Sequence, residues 1–286
     1  MITPADGPLV ALVLSRIRVE EKLILAALAA RGLAHVTVDD RRLAVRLDDP
    51  PPRWDIVLNR SLSAQRRLLV SELCQMWGLP VVNRVDVVRT CDDKIATSIA
   101  LHRDGLPVPI TAIALSPAAG SHAIESVGYP AVVKPVNGSW GRMLARVNDP
   151  DAAEFLLAHR QASASPQLRV IYAQEFVRTP GRDIRVLVAG SQVIAAAYRE
   201  SAHWAANRAL GATMRSCRLT GELEKLAIAA ATAVGGGVVG VDLLERDDGL
   251  LVNEVNSAPE FAGLAETCDV DIGDALVSYA LAEAGG

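Results

Sequence analysis

The residues best suited to chemistry lie between Gly240 and Asn256, in the run GVDLLERDDGLLVNEVN. Two apolar stretches flank Arg246-Asp247-Asp248-Gly249, and an Asp-Gly pair between such stretches signals a β-hairpin. A turn centred near Asp248 sets Asp242 opposite Glu254. Asn256, two residues further along, shares the face of Glu254 because side chains alternate along a strand. Their neighbours Val241, Leu243, Val252 and Val255 are apolar, which argues against an ordinary solvated edge. Two carboxylates and an amide oxygen on one face suit a hard cation. Mg²⁺ takes oxygen ligands at roughly 2.0–2.1 Å, commonly one or two carboxylates plus substrate phosphates, and Mn²⁺ accepts the same donors. The competing reading is a surface hairpin with routine acidic residues. Turn register and alternation agree independently, which favours metal.

Two lysines add to this. Only four of the 29 basic residues are lysine: Lys22, Lys94, Lys134 and Lys225. Arginine does the routine surface work, so a lysine in an unusual place calls for a reason. Lysine is a compact point charge at a phosphate, arginine a planar fork. Lys134 interrupts the apolar strand AVVKPV and needs a partner or a cavity for its ammonium. Lys94 falls in the first turn of a helix that Asp92 or Asp93 caps, where the helix dipole disfavours a cation. An exposed lysine remains the plain alternative there. Asn137-Gly138-Ser139-Trp140-Gly141-Arg142 follows Lys134 directly, a glycine-containing loop whose N–H groups are able to cradle phosphate oxygens. It is not a P-loop, because the Gly-Lys-Ser/Thr ending is missing.

These residues need elements to carry them. Leu9–Ser15, His35–Asp39, Asp55–Asn59 and Val81–Asn83 read as strands, with helices over Val19–Arg31 and Ala64–Trp77 between them. Such alternation implies an α/β unit with a parallel sheet covered on both faces. No glycine fingerprint follows its first strand, so a dinucleotide held in that manner is not expected. From about Thr90 the pattern changes to a helix ending near Arg103 and strands over Ile110–Leu115, Ala131–Val136 and Met143–Val147. Helices follow over Ala118–Val127 and Ala152–His159, then a polar link from Gln161 to Pro166. Val170–Val177 reads as a strand with a Gln-Glu pair near its end. Asp183–Val188 and Gln192–Tyr198 form a hairpin around Gly190, Ser201–Ser216 is irregular, and Leu223–Val234 and Asp274–Glu283 are helices. The expected division is 1–89, 90–172 and 173–286.

Composition sets limits. The 286 residues are 50% hydrophobic with a net charge of −4, enough for two or three compact units and no reason to expect nucleic acid. Cys74, Cys91, Cys217 and Cys268 form no C-x-x-C pair and read as free thiols of a reducing compartment. No signal peptide opens the chain, and the apolar tract from Leu226 to Val241 falls short of the ~18 residues of a membrane span. A soluble, cytoplasmic protein without membrane contact is the expectation.

The order of these motifs resembles the ATP-grasp superfamily, within it the RimK-like ligases, and most closely the LysX proteins of amino-acid biosynthesis. The segments VVNR, CDDKIATSIAL, GYPAVVKPVNGSWGR, GRDIRVLV, RESAHW and GGGVVGVDLLE with GLLVNEVN carry the likeness. The resemblance implies an ATP-grasp fold: a pre-ATP-grasp parallel-sheet domain, then two α+β subdomains clasping ATP. It assigns Lys94 and Lys134 to ATP phosphates and Gly138, Ser139, Gly141 and Arg142 to a lid loop. Gln174, Glu175, Phe176 and Val177 would line the adenine and ribose pocket. Arg182, Asp183 and Arg185 would lie along the cleft, and Arg199 and Asn207 at the γ-phosphate end. Asp242, Glu254 and Asn256 would bind Mg²⁺, and His203 and Trp204 match the family's Ser-Ala-His-Trp.

The chemistry implied joins a carboxylate to an amine through an acyl phosphate. In LysX-like enzymes the carboxylate is the C-terminal glutamate side chain of a small acidic carrier of the LysW type, and the amine belongs to 2-aminoadipate or glutamate. Arg16, Arg18, Arg60, Arg66, Arg67, Arg84 and Arg89 would steer such a partner or form an ordinary solvated surface. By analogy the assembly is a homo-oligomer. A RimK-type ligase acting on another protein or a small peptide, and a nucleotide-binding regulator without turnover, stand as alternatives. Gly263-Leu264 falls where aminoadipate enzymes carry Asn and a small residue and glutamate enzymes carry Gly-Phe. Leu210-Gly211-Ala212 departs from the family's Arg-Gly-Gly, which leaves a carboxylate uncompensated unless Arg208 or Arg215 substitutes. Glutamate, or a non-standard amino acid of related size, is therefore the expected amine, with 2-aminoadipate in ordinary lysine biosynthesis as the alternative.

Overall fold

Five consecutive apolar residues, Val10–Leu14, form the central strand of the first sheet because both of its faces are covered. The computed structural model describes residues 7–138, 143–201, 204 and 213–285. The first unit holds β1 (Val10–Leu14), α1 (Val19–Ala30), β2 (His35–Asp39), β3 (Ile56–Arg60), α2 (Ala64–Trp77) and β4 (Val81–Val82). Its strands run parallel in the order β2-β1-β3-β4. Alternation sends Leu12, Leu14 and Leu58 to one core with Ile24 and Leu28 of α1. Ala11, Val13 and Val57 go to another with Val70 and Cys74 of α2. Gly78 ends α2 at φ 68, in the left-handed conformation that glycine takes without strain.

Next come α3 (Val85–Cys91) and α4 (Lys94–Arg103), then β5 (Thr111–Ala114), α5 (Gly120–Val127), β6 (Ala131–Lys134), β7 (Ala145–Val147), α6 (Pro150–Ala162), α7 (Pro166–Arg169) and β8 (Ile171–Glu175). The four strands form an antiparallel sheet, β5-β8-β6-β7, backed by α5 and α6 around Ile124, Leu157 and Ile171. The polar link expected from Gln161 is shorter than its composition suggests, because α6 runs to Ala162 and α7 begins at Pro166. β8 carries this sheet to Glu175, beyond the division expected at 172.

The third sheet contains β9 (Arg182–Ala189), β10 (Gln192–Glu200), β11 (Thr213–Ser216), β12 (Val238–Arg246) and β13 (Gly249–Asn256), in the order β11-β10-β9-β12-β13. The segment expected to be irregular thus ends in a strand, β11, pairing with β10. Helix α8 (Gly221–Ala233) covers one face over Ile184, Val186, Val239, Val241 and Leu243. Val87, Cys91 and Leu101 join that core, so α3 and α4 pack on the third sheet rather than the second. The other face has two characters. Leu187, Ala189, Ala195, Ala197 and Val238 are buried with the first unit and with α10 (Ile272–Ala284). Two or four residues further along these strands the same face carries Asp183, Arg185, Arg199 and Asp242. The apolar cover stops there and a cleft opens. A short helix, α9 (Ala262–Thr267), leads into α10.

All four cysteines are free thiols. Among the described residues no helix is long and apolar enough to cross a membrane.

Candidate active site

The hairpin β12–β13 delivers its donors through a bulge. Arg246 pairs with Gly249 and Leu243 with Val252, but the register then shifts and Asp242 pairs with Glu254. Asn253 is the extra residue, so Glu254 and Asn256 stand on the face of Asp242. Without it the turn would have set Asn253 opposite Asp242, and the two later donors would point away. Sequence reasoning reached the right pairing but missed Asn253. A strict two-residue turn at Asp247-Asp248 would have exposed the mismatch.

Each cation is aimed by an element. Asp93 caps α4, accepting from the Ile95 and Ala96 N–H groups at 2.8 and 3.0 Å. Lys94 therefore starts the helix, and its Nζ donates to Glu254 Oε1 at 2.9 Å and to the Gly138 carbonyl at 3.1 Å. Burial alone would lower the Lys94 pKa, but the Glu254 carboxylate outweighs it and holds the amine above its usual value. That carboxylate is what accepts a cation at an unfavourable helix end. Lys134 ends β6 at 9% exposure and donates to Gln174 Oε1 at 2.5 Å and Asn253 Oδ1 at 2.9 Å. Its burial lowers the amine to about 8. Burial likewise pushes Glu254 up, but Lys94 and Lys134 reverse the sign and keep it below its usual value.

On the third sheet Arg199 forks onto both oxygens of Asp183 at 2.9 and 2.6 Å and reaches Asp242 Oδ2 at 3.2 Å. Arg185 donates to Asp242 Oδ2 at 3.0 Å. Burial opposes the charge on Arg199, but Asp242 and Asp183 hold it protonated. Asp242 Oδ1 is buried and accepts no well-aligned hydrogen bond, although Arg185 Nε lies 2.7 Å away. The short contact is an ion pair whose N–H is poorly aligned with the oxygen. Gly240 makes room for Arg185, since a Cβ there would stand 2.9 Å from its Nη1 and 2.8 Å from Pro259 Cβ.

These groups line one cavity of about 420 Å³, a size in the range of small-molecule sites. The cavity takes in Lys94, Lys134, Gly138, Gln174, Glu175, Phe176, Val177, Arg182, Asp183, Arg185, Arg199, Trp204, Asp242, Glu254, Asn256 and Gly263. Leu264 does not line it. Its side chain is 1% exposed and packs in the core between the first unit and α10. Trp204 meets Phe176 edge-on at 6.0 Å, at the end of the cavity formed by β8. Arg182 spends its fork on Glu245 and lies over the Tyr198 ring. Ser139, Gly141, Arg142, His203 and Asn207 lie outside the described residues, as do Arg208, Leu210, Gly211 and Ala212. Arg215 faces solvent and pairs with Glu200 at 3.0 Å.

The arginines expected on the surface divide. Arg84 and Arg89 are outward, paired with Asp86 and Glu72, and Arg66 is paired with Asp40. Arg18, Arg60 and Arg67 turn inward and line the cavity. Arg67 Nη2 donates to both carboxylate oxygens of Asp92 at 2.7 and 2.9 Å, and Asp92 Oδ1 also accepts from Ser257 Oγ at 2.9 Å. The first unit is therefore a wall of the site.

Residues 91–280 match the model of the RimK-like ATP-grasp domain, and residues 10–90 match that of the LysX pre-ATP-grasp domain. The chain belongs to the RimK-like ATP-grasp family. A curated relative, the glutamate–LysW ligase ArgX of Sulfolobus acidocaldarius, is 33% identical over 273 residues, covering 94% of this chain and 97% of the relative. The α-aminoadipate–LysW ligase LysX of Saccharolobus solfataricus is 35% identical over 228 residues, covering 79% and 83%. Among solved structures, the RimK domain ATP-grasp protein of Sphaerobacter thermophilus superposes with a TM-score of 0.80 at 29% identity, covering 95% of this chain and 99% of that one. The three sheets are thus the ATP-grasp fold with its pre-ATP-grasp domain, and the RimK-like chain is an ATP-dependent ligase. Sequence reasoning missed Asn253 and Ser257 and read Arg67 and Asp92 only as a surface arginine and a helix cap; all four line the RimK-like cavity.

Proposed function

We propose that this RimK-like ligase joins the amino group of glutamate, or of an amino acid of related size, to the C-terminal glutamate side chain of a LysW-type carrier. The observation that carries the reading is the meeting of Lys94, Lys134, Arg185, Arg199, Asp242, Glu254 and Asn256 in one cavity. Four cations beside an oxygen donor set suit phosphoryl transfer, which needs positioning and charge neutralisation. Likeness to two LysW ligases over most of the chain supports the carrier as partner.

The donors fit Mg²⁺. The set is two carboxylates and an amide, and Asp242 holds a buried oxygen without a well-aligned donor. Among the described residues no three His, Cys, Asp or Glu side chains form a metal group, so the set calls for substrate oxygens to complete it, as Mg²⁺ sites commonly do. Asp242, Glu254 and Asn256 would hold the ion, which supplies charge neutralisation at the phosphates. Lys134 and Lys94 bind phosphate oxygens, and the β8 end from Gln174 to Val177 holds the base and ribose. Arg185 and Arg199 face the transferring phosphoryl group. The carrier's carboxylate oxygen attacks the γ-phosphorus and ADP leaves. The amine nitrogen then attacks the acyl carbon, phosphate leaves, and the amine gives up its proton. Gly263 at the cavity keeps glutamate as the expected amine. One methylene in a pocket discriminates by only ~1–3 kcal/mol, so 2-aminoadipate competes.

The test is competition between glutamate and 2-aminoadipate for one carrier, read by intact-protein mass. Glutamate is expected to dominate. A more than hundredfold preference for aminoadipate would reject the glutamate assignment, and transfer to a peptide in place of the carrier would reject the carrier.

A further inference from the structure

One wall of the cavity is built by the first unit, and it holds charges that phosphoryl transfer does not use. Glu21 is fully buried in α1 and grips two arginines at once. It accepts from Arg18 Nε and Nη2 at 3.0 and 2.9 Å and from Arg60 Nε at 3.2 Å. Arg60 is 7% exposed, lies over the Phe261 ring at 5.4 Å and donates to the Pro259 carbonyl at 3.1 Å. Pro259 in turn packs against Gly240 beside Arg185, so contacts run without a break from the reaction centre to these arginines. Glu20 also faces the cavity and accepts from the Ala262 N–H at 3.2 Å, beside Gly263.

Burying two guanidiniums costs free energy unless they are paired. Glu21 supplies that pairing and fixes the orientation of both forks. Two of the three Arg18 donor positions are spent on Glu21. The third, Nη1, meets Glu260 Oε1 at 3.1 Å. Glu260 differs from the rest of the cluster, since its side chain is 46% exposed while that of Arg18 is 15% exposed. It stands four residues beyond Asn256 and lines the same cavity. Water reaches the Glu260 side of this pair and weakens it, so an incoming carboxylate can displace Glu260.

We infer that Arg18, held by Glu21 beside Arg60, is the subsite for the side-chain carboxylate of the amino-acid substrate, and that Glu260 occupies it until that substrate arrives. Arg18 is then a specificity residue set by the first unit. Its fixed fork rewards a second carboxylate and leaves an amide in its place poorly matched. Glu260 is a built-in competitor that moves toward solvent on binding. The inference deepens the amino-acid ligase reading and rests on it.

The test measures binding directly, so it does not depend on a carrier. L-Glutamate, 2-aminoadipate and L-glutamine are titrated calorimetrically into the full chain with Mg²⁺ and a non-hydrolysable ATP analogue. Wild type is expected to favour glutamate over glutamine. Arg18→Gln is expected to cut that preference at least tenfold while ATP-analogue affinity stays within twofold. Glu260→Gln is expected to tighten glutamate several-fold and leave glutamine unmoved. Arg18 caps α1, so its variant risks the fold. Glu260→Gln is conservative and half-exposed, and decides the matter alone if Arg18→Gln shows no cooperative melting. Equal weakening of glutamate and glutamine by Arg18→Gln overturns the subsite. So does a Glu260→Gln variant with unchanged glutamate affinity, absent binding of both acidic amino acids, or an effect confined to carrier affinity. If binding behaves as expected while no carrier is modified, the subsite stands and the carrier reading fails.

Discussion

Lys134 carries its charge into an apolar strand, and the sequence showed it because a cation among Ala131, Val132 and Val133 has no ordinary explanation. Its partners were not legible, since Gln174 and Asn253 come from two other sheet strands, 40 and 119 residues away. Two oxygens at 2.5 and 2.9 Å suit a compact ammonium in a closed space. Lys134→Arg is therefore expected to lower ATP turnover by at least ~10-fold with the melting temperature little changed, because a planar fork does not replace a point charge there. Steady-state ADP formation checks it, and near-normal turnover would show the lysine to be replaceable. Glu254→Ala removes a proposed metal donor and the partner of Lys94 together. By comparison with other electrostatic stabilisers the loss is on the order of 10²–10³ in rate. Full ADP formation at limiting Mg²⁺ would remove Glu254 from the metal set.

At the scale of elements, hairpin and strand patterns were plain in the sequence wherever a face is buried, as in β1, β6 and β12. Helix α3 was not, because Val85, Val87 and Val88 favour strands intrinsically and turn helical only by packing Val87 and Cys91 on the third sheet. The bulge at Asn253 was hidden for a related reason, since a register shift of one residue leaves no mark on composition. Gly240 depends on the same geometry. Gly240→Ala places a methyl against Arg185 and Pro259, and the guanidinium must shift to admit it. Turnover is expected to fall at least tenfold while circular dichroism and nucleotide affinity stay near wild type. A variant with wild-type turnover would show that the position of Arg185 does not matter to the reaction.

For the whole molecule, the end of the chain closes the beginning. Helix α10 lies against α1, and Gly273 permits it, since a Cβ there would sit 2.4 Å from the Leu23 carbonyl oxygen. Gly273→Ala must open that contact, and overpacking of this kind costs about 1–3 kcal/mol. A lower melting temperature with unchanged ATP affinity is expected, and an unmoved melting temperature would contradict the packing account. Arg18 and Arg60 were legible only as arginines in loops and strand ends. That they face a cavity follows from the way the first unit, the third sheet and the Pro259–Gly263 segment enclose it, which no local pattern encodes. ATP cleavage by this ligase is expected to drive amide formation on a carrier. Counting ADP released against amide bonds formed, in one reaction holding a LysW-type carrier, glutamate and Mg²⁺, tests it most directly. One ADP per added glutamate, with ADP formation falling away when either acceptor is omitted, is the predicted result. ADP release that continues without carrier mass gain would contradict it.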